Sequence, residues 1–486
     1  MYVQLRRFMG CLCAFFVATA YAASSASTPA PSGEPVVTGQ RFQMSSKILG
    51  EIRKYVVHTP PNYNFSSDLY PVAVLLDSEG NIQHVTATAD FLANNGAALP
   101  MIVVGIENTD RQRDFTPPVL SDKADQHPPG NLGGAPKFLS FIADELIPEI
   151  DRKYRTRPTR LLIGHSYGGL FAIYALFNRP EVFKAYIAVS PALWWDEQAL
   201  AKQADQFVAE HQDLQAAVYM TMGNEGGGML GGTQKIAGSL SSSRNIGSKF
   251  ERWPEETHGT VVLRSVYDGL RWLNEPFYTP DPMRVYEESG LQFFDKRYEG
   301  ISRYLGYEIK VPEHIPMEIQ HHLLEQDRQA EALQVLQHVA ALYPQSTGPH
   351  FELGKLYLKL NDSAKARAEL EQTLKLYPGY TDVRVELQKL GVDAASIVVD
   401  VQPPVSALRS YVGEYRYADE ASIVTLEGGK LFVHVGLEKR ELRARSNTHF
   451  YAVDADREYT FQRKGGKATA VVIDIPYFSY WSTKVH

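Results

Sequence analysis

Five short, near-continuous apolar runs recur between Phe42 and Glu275: Val72–Leu76, Met101–Ile106, Arg160–Ile163, Ala185–Val189 and Val218–Met222. Runs without polar alternation suit strands buried on both faces, and such strands belong to parallel sheets covered by helices. The intervening stretches carry helical patterns, as in Phe138–Tyr154 and Leu170–Asn178. The alternation predicts an α/β fold with a mostly parallel sheet over residues 40–280. At 486 residues the chain is too long for that sheet alone, so further domains are expected.

The run ending at Ile163 leads directly into Gly164-His165-Ser166-Tyr167-Gly168-Gly169, and a helical pattern starts at once. A G-x-S-x-G sequence in a strand-turn-helix context lifts its serine out on a sharp, strained turn, with glycines that let the two backbones approach. Ser166 is therefore the candidate nucleophile. A serine hydroxyl needs a base to take its proton and an acid to orient that base, here in the chain order Ser, acid, His. His258 fits the base: it follows a predicted last strand, Ser248–Trp253, and precedes a predicted helix, Val261–Leu273. Glu225, just after the strand Val218–Met222, is the candidate acid, with Glu255 and Glu256 as competitors. Negative charge on an attacked carbonyl oxygen needs N–H donors. One is expected from the backbone of Tyr167 and the other from the loop Asp77–Asn81.

Several words accompany the elbow: Tyr70-Pro-Val-Ala-Val-Leu-Leu-Asp77, Asn108-Thr-Asp-Arg111-Gln-Arg-Asp114-Phe-Thr-Pro117, Glu145-Leu-Ile-Pro148, Ser190-Pro-Ala-Leu-Trp194-Trp195 and Glu256-Thr-His258-Gly259. Together they resemble the Putative esterase family of α/β-hydrolases from about Arg41 to Glu275. That family includes ferri-siderophore esterases, S-formylglutathione hydrolases, feruloyl esterases and mycolyltransferases, and the likeness is greatest to the siderophore trilactone esterases. The resemblance implies a serine carboxylic-ester hydrolase working through an acyl-enzyme on a small-molecule ester. It also implies the backbone N–H of Glu79 as second oxyanion donor, and Trp194, Trp195 and Arg111 around the substrate pocket. Asp77-Ser78 stands where Asp-Gly is common in the family, which leaves the second donor open. Read from the residues alone, the tryptophan pair serves equally as core packing, and Arg111 and Arg113 could pair with Asp110 and Asp114. Interception of the acyl-enzyme by an alcohol would make the same site an acyltransferase.

Leu342-Tyr343-Pro344 recurs as Leu376-Tyr377-Pro378, and Ala332 as Ala366, both at a spacing of 34 residues. That is the period of the tetratricopeptide repeat, so residues 313–392 are expected to form two helical hairpins with a capping helix near Val383–Leu390. Two repeats are too few for a free solenoid, so they should dock on a neighbour; a protein partner bound there, beside an idle hydrolase, is the competing functional reading. Beyond Gly391 the pattern alternates in short runs, Ser422–Leu426, Lys430–Val435 and Tyr459–Gln462, broken by Gly428-Gly429 and Gly465-Gly466. These are hairpin signals, and residues 405–486 resemble the lipocalin-like antiparallel domains appended to some periplasmic serine hydrolases.

The N-terminus reads as a secretory signal over residues 1–22: Arg6 and Arg7, an apolar stretch from Phe8, then Ala20-Tyr21-Ala22 before the cut. A flexible Ser/Ala/Pro leader follows over 23–39. Both cysteines, Cys11 and Cys13, fall within the signal, so the exported chain would rely on packing and not on disulfides. Net charge is −7, becoming −9 once Arg6 and Arg7 are lost, and no basic run occurs. Nucleic acid is therefore a poor partner, and no later stretch is apolar enough to span a membrane. Gly226-Gly227-Gly228 and Gly231-Gly232 lack the Gly-Lys-Ser/Thr of a phosphate loop and are expected to form a mobile loop beside the site. No metal-binding motif is present, so no metal and no cofactor is expected.

Overall fold

The computed structural model describes residues 37–61, 63, 68–121, 128–417, 420–475 and 478–485; the predicted signal and most of the leader lie outside them. The chain begins with a hairpin of β1 (Gln40–Ser46) and β2 (Glu51–His58), followed by β3 (Tyr70–Leu75), α1 (Ser78–Asn94) and β4 (Ile102–Ile106). A short α2 (Arg111–Phe115) precedes α3 (Ala135–Phe141), which runs through a π-helical turn (Ile142–Leu146) into α4 (Ile147–Lys153). Then come β5 (Thr156–His165), α5 (Tyr167–Asn178), β6 (Ala185–Val189), α6 (Trp195–Glu210), β7 (Ala216–Met222), α7 (Gly227–Ser241), β8 (Ile246–Arg252) and α8 (Val261–Asn274).

These strands form one eight-stranded sheet in the order β1-β2-β4-β3-β5-β6-β7-β8. β3 to β8 pair in parallel, while β1 with β2 and β2 with β4 are antiparallel. The apolar runs occupy its centre, and Ile102, Leu162, Ile187 and Val218 are fully buried. Helices cover both faces, with Phe138, Phe171 and Leu176 packed on one and Val85, Leu92 and Leu270 on the other. Parallel pairing brings the C-terminal ends of β3, β5, β7 and β8 to one edge, so the loops carrying Asp77, Ser166, Glu225 and His258 share that edge.

The glycine-rich stretch departs from expectation: α7 takes in Gly227, Gly228, Gly231 and Gly232, so a helix stands where a mobile loop was predicted. Gly232 serves close packing, since a Cβ there would sit 2.7 Å from the Leu193 carbonyl oxygen.

Two helices, α9 (Pro282–Ser289) and α10 (Leu291–Leu305), precede the repeats and were not singled out from the sequence. Their signal was present: Phe294, Tyr298, Ile301 and Leu305 make one buried stripe at helical spacing. The repeats are the hairpins α11 (His314–Glu325) with α12 (Gln329–Leu342) and α13 (Thr347–Lys359) with α14 (Ser363–Leu376), followed by α15 (Thr381–Lys389). The helical segment from α9 to α15 docks at both ends, through α10 at one and α14 at the other. Tyr304 Oη donates to the Lys184 carbonyl at 3.2 Å on the sheet side, and Arg445 donates to the Lys375 and Leu376 carbonyls at 2.7 and 3.1 Å on the other.

A short α16 (Val405–Tyr411) leads into β9 (Gly413–Tyr417), β10 (Glu420–Glu427), β11 (Lys430–Val435), β12 (Glu438–Ala444), β13 (His449–Ala452), β14 (Glu458–Lys464), β15 (Lys467–Ile475) and β16 (Phe478–Lys484). Each strand pairs antiparallel with the next, and β16 returns to β9, closing an up-and-down barrel as the lipocalin-like resemblance implied. Alternate residues point inward, and Leu431, Val433, Phe450, Phe461, Val471 and Ile473 fill the core. Among the described residues no helix is long and apolar enough to cross a membrane.

Candidate active site

Ser166 joins β5 to α5 with φ 59° and ψ −115°, a left-handed conformation that a non-glycine residue adopts at a cost of about 1–3 kcal/mol. Its backbone is clamped on all sides: N–H donates to the Val189 carbonyl at 2.9 Å, and C=O accepts from Leu170 and Ala192 at 2.9 and 3.0 Å. Gly164 makes this turn possible. A Cβ there would fall on the Gly168 carbonyl and lie 3.0 Å from the Gly169 nitrogen, backbone atoms with nowhere to move.

The acid and base loops meet beside the elbow. Nδ1 of His258 lies 2.5 Å from Oε1 of Glu225, which leaves Nε2 as the ring nitrogen free to exchange a proton. Burial is the largest single influence on Glu225 and opposes its ionisation, but the hydrogen bond with His258, together with smaller contributions from its own backbone N–H, from Ser190 and from the charge of His258, outweighs it, and the pKa falls below the usual carboxylate value. The two loops are laced by the Asn224 N–H donating to the Glu256 carbonyl at 2.8 Å. Of the competing acids, Glu255 pairs with Arg264 at 2.6 Å, while Glu256 contributes its carbonyl to the lacing.

Asp77, at φ 53°, turns the chain from β3 into α1. Ser78 and Glu79 thus occupy the first turn of that helix, where backbone N–H groups have no intrahelical acceptor. Tyr167 opens α5 in the same way. The Glu79 side chain is fixed by accepting from the Asn108 N–H at 2.6 Å. Ser78, where glycine would be expected, is buried against Gly105.

Arg111 is held by neither Asp110 nor Asp114. It donates Nε and Nη2 to the two oxygens of Asp77 at 2.6 and 2.8 Å, and Nη2 also to the His165 carbonyl at 3.2 Å. It lies over the Tyr167 ring at 5.6 Å. Arg113 instead binds Glu51 and Asp114, beside the buried Arg53–Asp114 pair, and has a structural role. The tryptophan pair divides: Trp194 is 37% exposed, whereas Trp195 is 2% exposed and belongs to the core. Trp195 is therefore corrected from pocket wall to core packing, because α6 turns its ring inward against Tyr167. Among the described residues no three His, Cys, Asp or Glu side chains gather into a metal-binding group.

One contributor was overlooked although it lies within the elbow motif. His165 places Nε2 2.8 Å from the carbonyl oxygen of His258, and the two rings are 4.5 Å apart. Burial, aided by the neighbouring His258, pushes the pKa of His165 down to about 4. An unfolded histidine titrates near 6.5, so between these values the unfolded chain binds more protons than the folded one. Stability from this group is therefore complete above pH ~6.5 and falls as pH drops through 4, by up to about 3 kcal/mol. His165→Gln should flatten this acid-side loss. Melting temperatures at pH 7 and 4.5 check it, and equal losses in the two proteins would refute the assignment.

A strained serine elbow after a parallel strand, with a histidine and carboxylate paired on later loops, defines the α/β-hydrolase class. Residues 46–252 match the model of the Putative esterase family, and residues 323–387 match a tetratricopeptide repeat. The esterase match covers the sheet domain, a little under half of the chain. The ferri-bacillibactin esterase of Bacillus subtilis is 35% identical over 155 residues, covering 29% of this chain and 54% of that protein. A siderophore enterobactin esterase of Emericella nidulans is 35% identical over 151 residues, covering 27% and 50%. The chain thus spans about half the length of these curated relatives. An IroE-like serine hydrolase from Shewanella oneidensis superposes with a TM-score of 0.54 at 28% identity, covering 63% of this chain and 99% of that one.

Proposed function

We propose that this chain is an exported serine esterase that cleaves small siderophore-type esters. The observation that carries the reading is the 2.5 Å Glu225–His258 hydrogen bond beside the strained Ser166 elbow. Ser166 Oγ attacks the ester carbonyl while His258 Nε2 takes its proton. The backbone N–H groups of Tyr167 and Glu79 receive the oxyanion, and His258 returns the proton to the leaving alcohol. Water activated by the same histidine then releases the acid. Glu225 holds the ring's orientation and stabilises the imidazolium. Arg111 and the exposed Trp194 border the pocket, offering a cation and an aromatic face to a catecholate-like substrate. Export rests on the signal pattern of residues 1–22, and the siderophore substrate on what the named relatives act upon.

The test combines turnover of p-nitrophenyl butyrate and a ferric catecholate trilactone with fluorophosphonate labelling mapped by mass spectrometry. Hydrolysis together with a label on Ser166 is expected; no hydrolysis of either ester and no label would falsify the reading. Glu225→Gln should lower kcat by about 10²–10⁴-fold, because the imidazolium loses its counter-charge while the shape is kept. Glu255→Gln, tied up with Arg264, should stay within about twofold of wild type. Steady-state kinetics on both variants decides which carboxylate acts.

A further inference from the structure

His258 stands on a loop that is largely exposed from Pro254 to Thr260, and its own side chain is 40% exposed. The Glu225 bond fixes one edge of its ring. It does not by itself fix the distance between the ring and the elbow, because Glu225 stands on a third loop. The Asn224 N–H to Glu256 carbonyl bond likewise ties the base loop to the acid loop and leaves its distance from the elbow open. Among the described residues, the hydrogen bond that links this loop to the elbow is the one from His165 Nε2 to the His258 carbonyl, at 2.8 Å.

A carbonyl oxygen can only accept, so this contact assigns the Nε2–H tautomer to His165. The ring is packed between elbow and loop, 4.5 Å from that of His258. It also adjoins Ser166 in sequence, on a turn whose backbone is clamped to Val189, Leu170 and Ala192. A shift of the base relative to the nucleophile by about 1 Å is enough to cost about 100-fold in rate.

We infer that His165 is a positioning residue, tethering the main chain of the base loop to the nucleophile's own elbow so that Ser166 and His258 are held as one unit. This rests on the proposed roles of Ser166 and His258. Because His165 is neutral above about pH 4, the tether adds no second cation beside the imidazolium that forms during turnover.

The test uses the full chain with His165→Leu, which removes the donor, and His165→Gln, which restores a side-chain N–H. The expected result for His165→Leu is a roughly 10- to 100-fold loss in kcat with KM within about twofold, and His165→Gln should recover most of it. In a His258→Ala background, where there is no ring left to position, His165→Leu should cost nothing further. Wild-type kcat in His165→Leu overturns the inference. So does an equal loss in the His258→Ala background, or no recovery with glutamine, since either would mark a packing role. Hydrogen exchange over residues 254–260 reads the tether without any turnover: it should quicken in His165→Leu and not in His165→Gln. Unchanged exchange overturns the tether even if the enzyme is active. Quickened exchange in a chain without esterase activity upholds the tether and places the failure with the proposed function.

Discussion

Replacing Ser166 by alanine is expected to lower kcat for a p-nitrophenyl ester by about 10⁴- to 10⁶-fold, with KM little changed and the fold intact. The hydroxyl is the atom that forms the acyl bond, so its loss removes the covalent route. The backbone bonds of residue 166 to Val189, Leu170 and Ala192 do not involve the side chain and persist. Alanine also bears the φ of 59° at about the same steric cost as serine. What remains is catalysis by the oxyanion donors and by binding, about 10³-fold over water in comparable sites. Kinetics with circular dichroism on the same samples separates lost chemistry from lost structure. Turnover above about 1% of wild type would mean that some other group carries the reaction.

Gly164→Ala should have the largest effect on stability, about 3 kcal/mol, with loss of activity. The added methyl meets the Gly168 carbonyl, and both sides of the clash are backbone held within β5 and α5. Relief requires the strand end and the helix start to separate, which also opens the turn carrying Ser166. Gly238→Ala is the control: it lies exposed in α7 with nothing within 4 Å of the new methyl, and helix propensity predicts a gain of up to about 1 kcal/mol. Urea unfolding of the two variants gives the comparison. Equal midpoints would show that the elbow tolerates a Cβ and that its glycine spacing has another cause.

Much of this molecule could be read from short-range pattern. The five apolar runs are the strands β3 to β7, and the 34-residue spacing marks the two helical hairpins. Where local pattern failed, it was overridden or overlooked. The glycine-rich stretch after Glu225 forms a helix despite the low helix propensity of glycine, with Gly232 packed against Leu193 and Ile236 and Leu240 buried. The stripe of α10, Phe294, Tyr298, Ile301 and Leu305, lies between the sheet domain and the repeats and belongs to neither pattern.

Residues near one another in sequence carried their own information: the strand, the glycines and the helix around Ser166 impose a strained turn by local sterics alone. Partnerships across the chain needed the tertiary structure. Glu225 and His258 are 33 residues apart, and Arg111 reaches back 34 residues to Asp77, past the nearer Asp110 and Asp114. The tertiary structure also turned one tryptophan of an adjacent pair to solvent and the other into the core, and it closed the last eight strands into a barrel. The physical reason is common to all of these. Periodicity and turn sterics act over a few residues and are written in order along the chain, whereas the choice among several possible partners depends on which surfaces the packed sheet brings together.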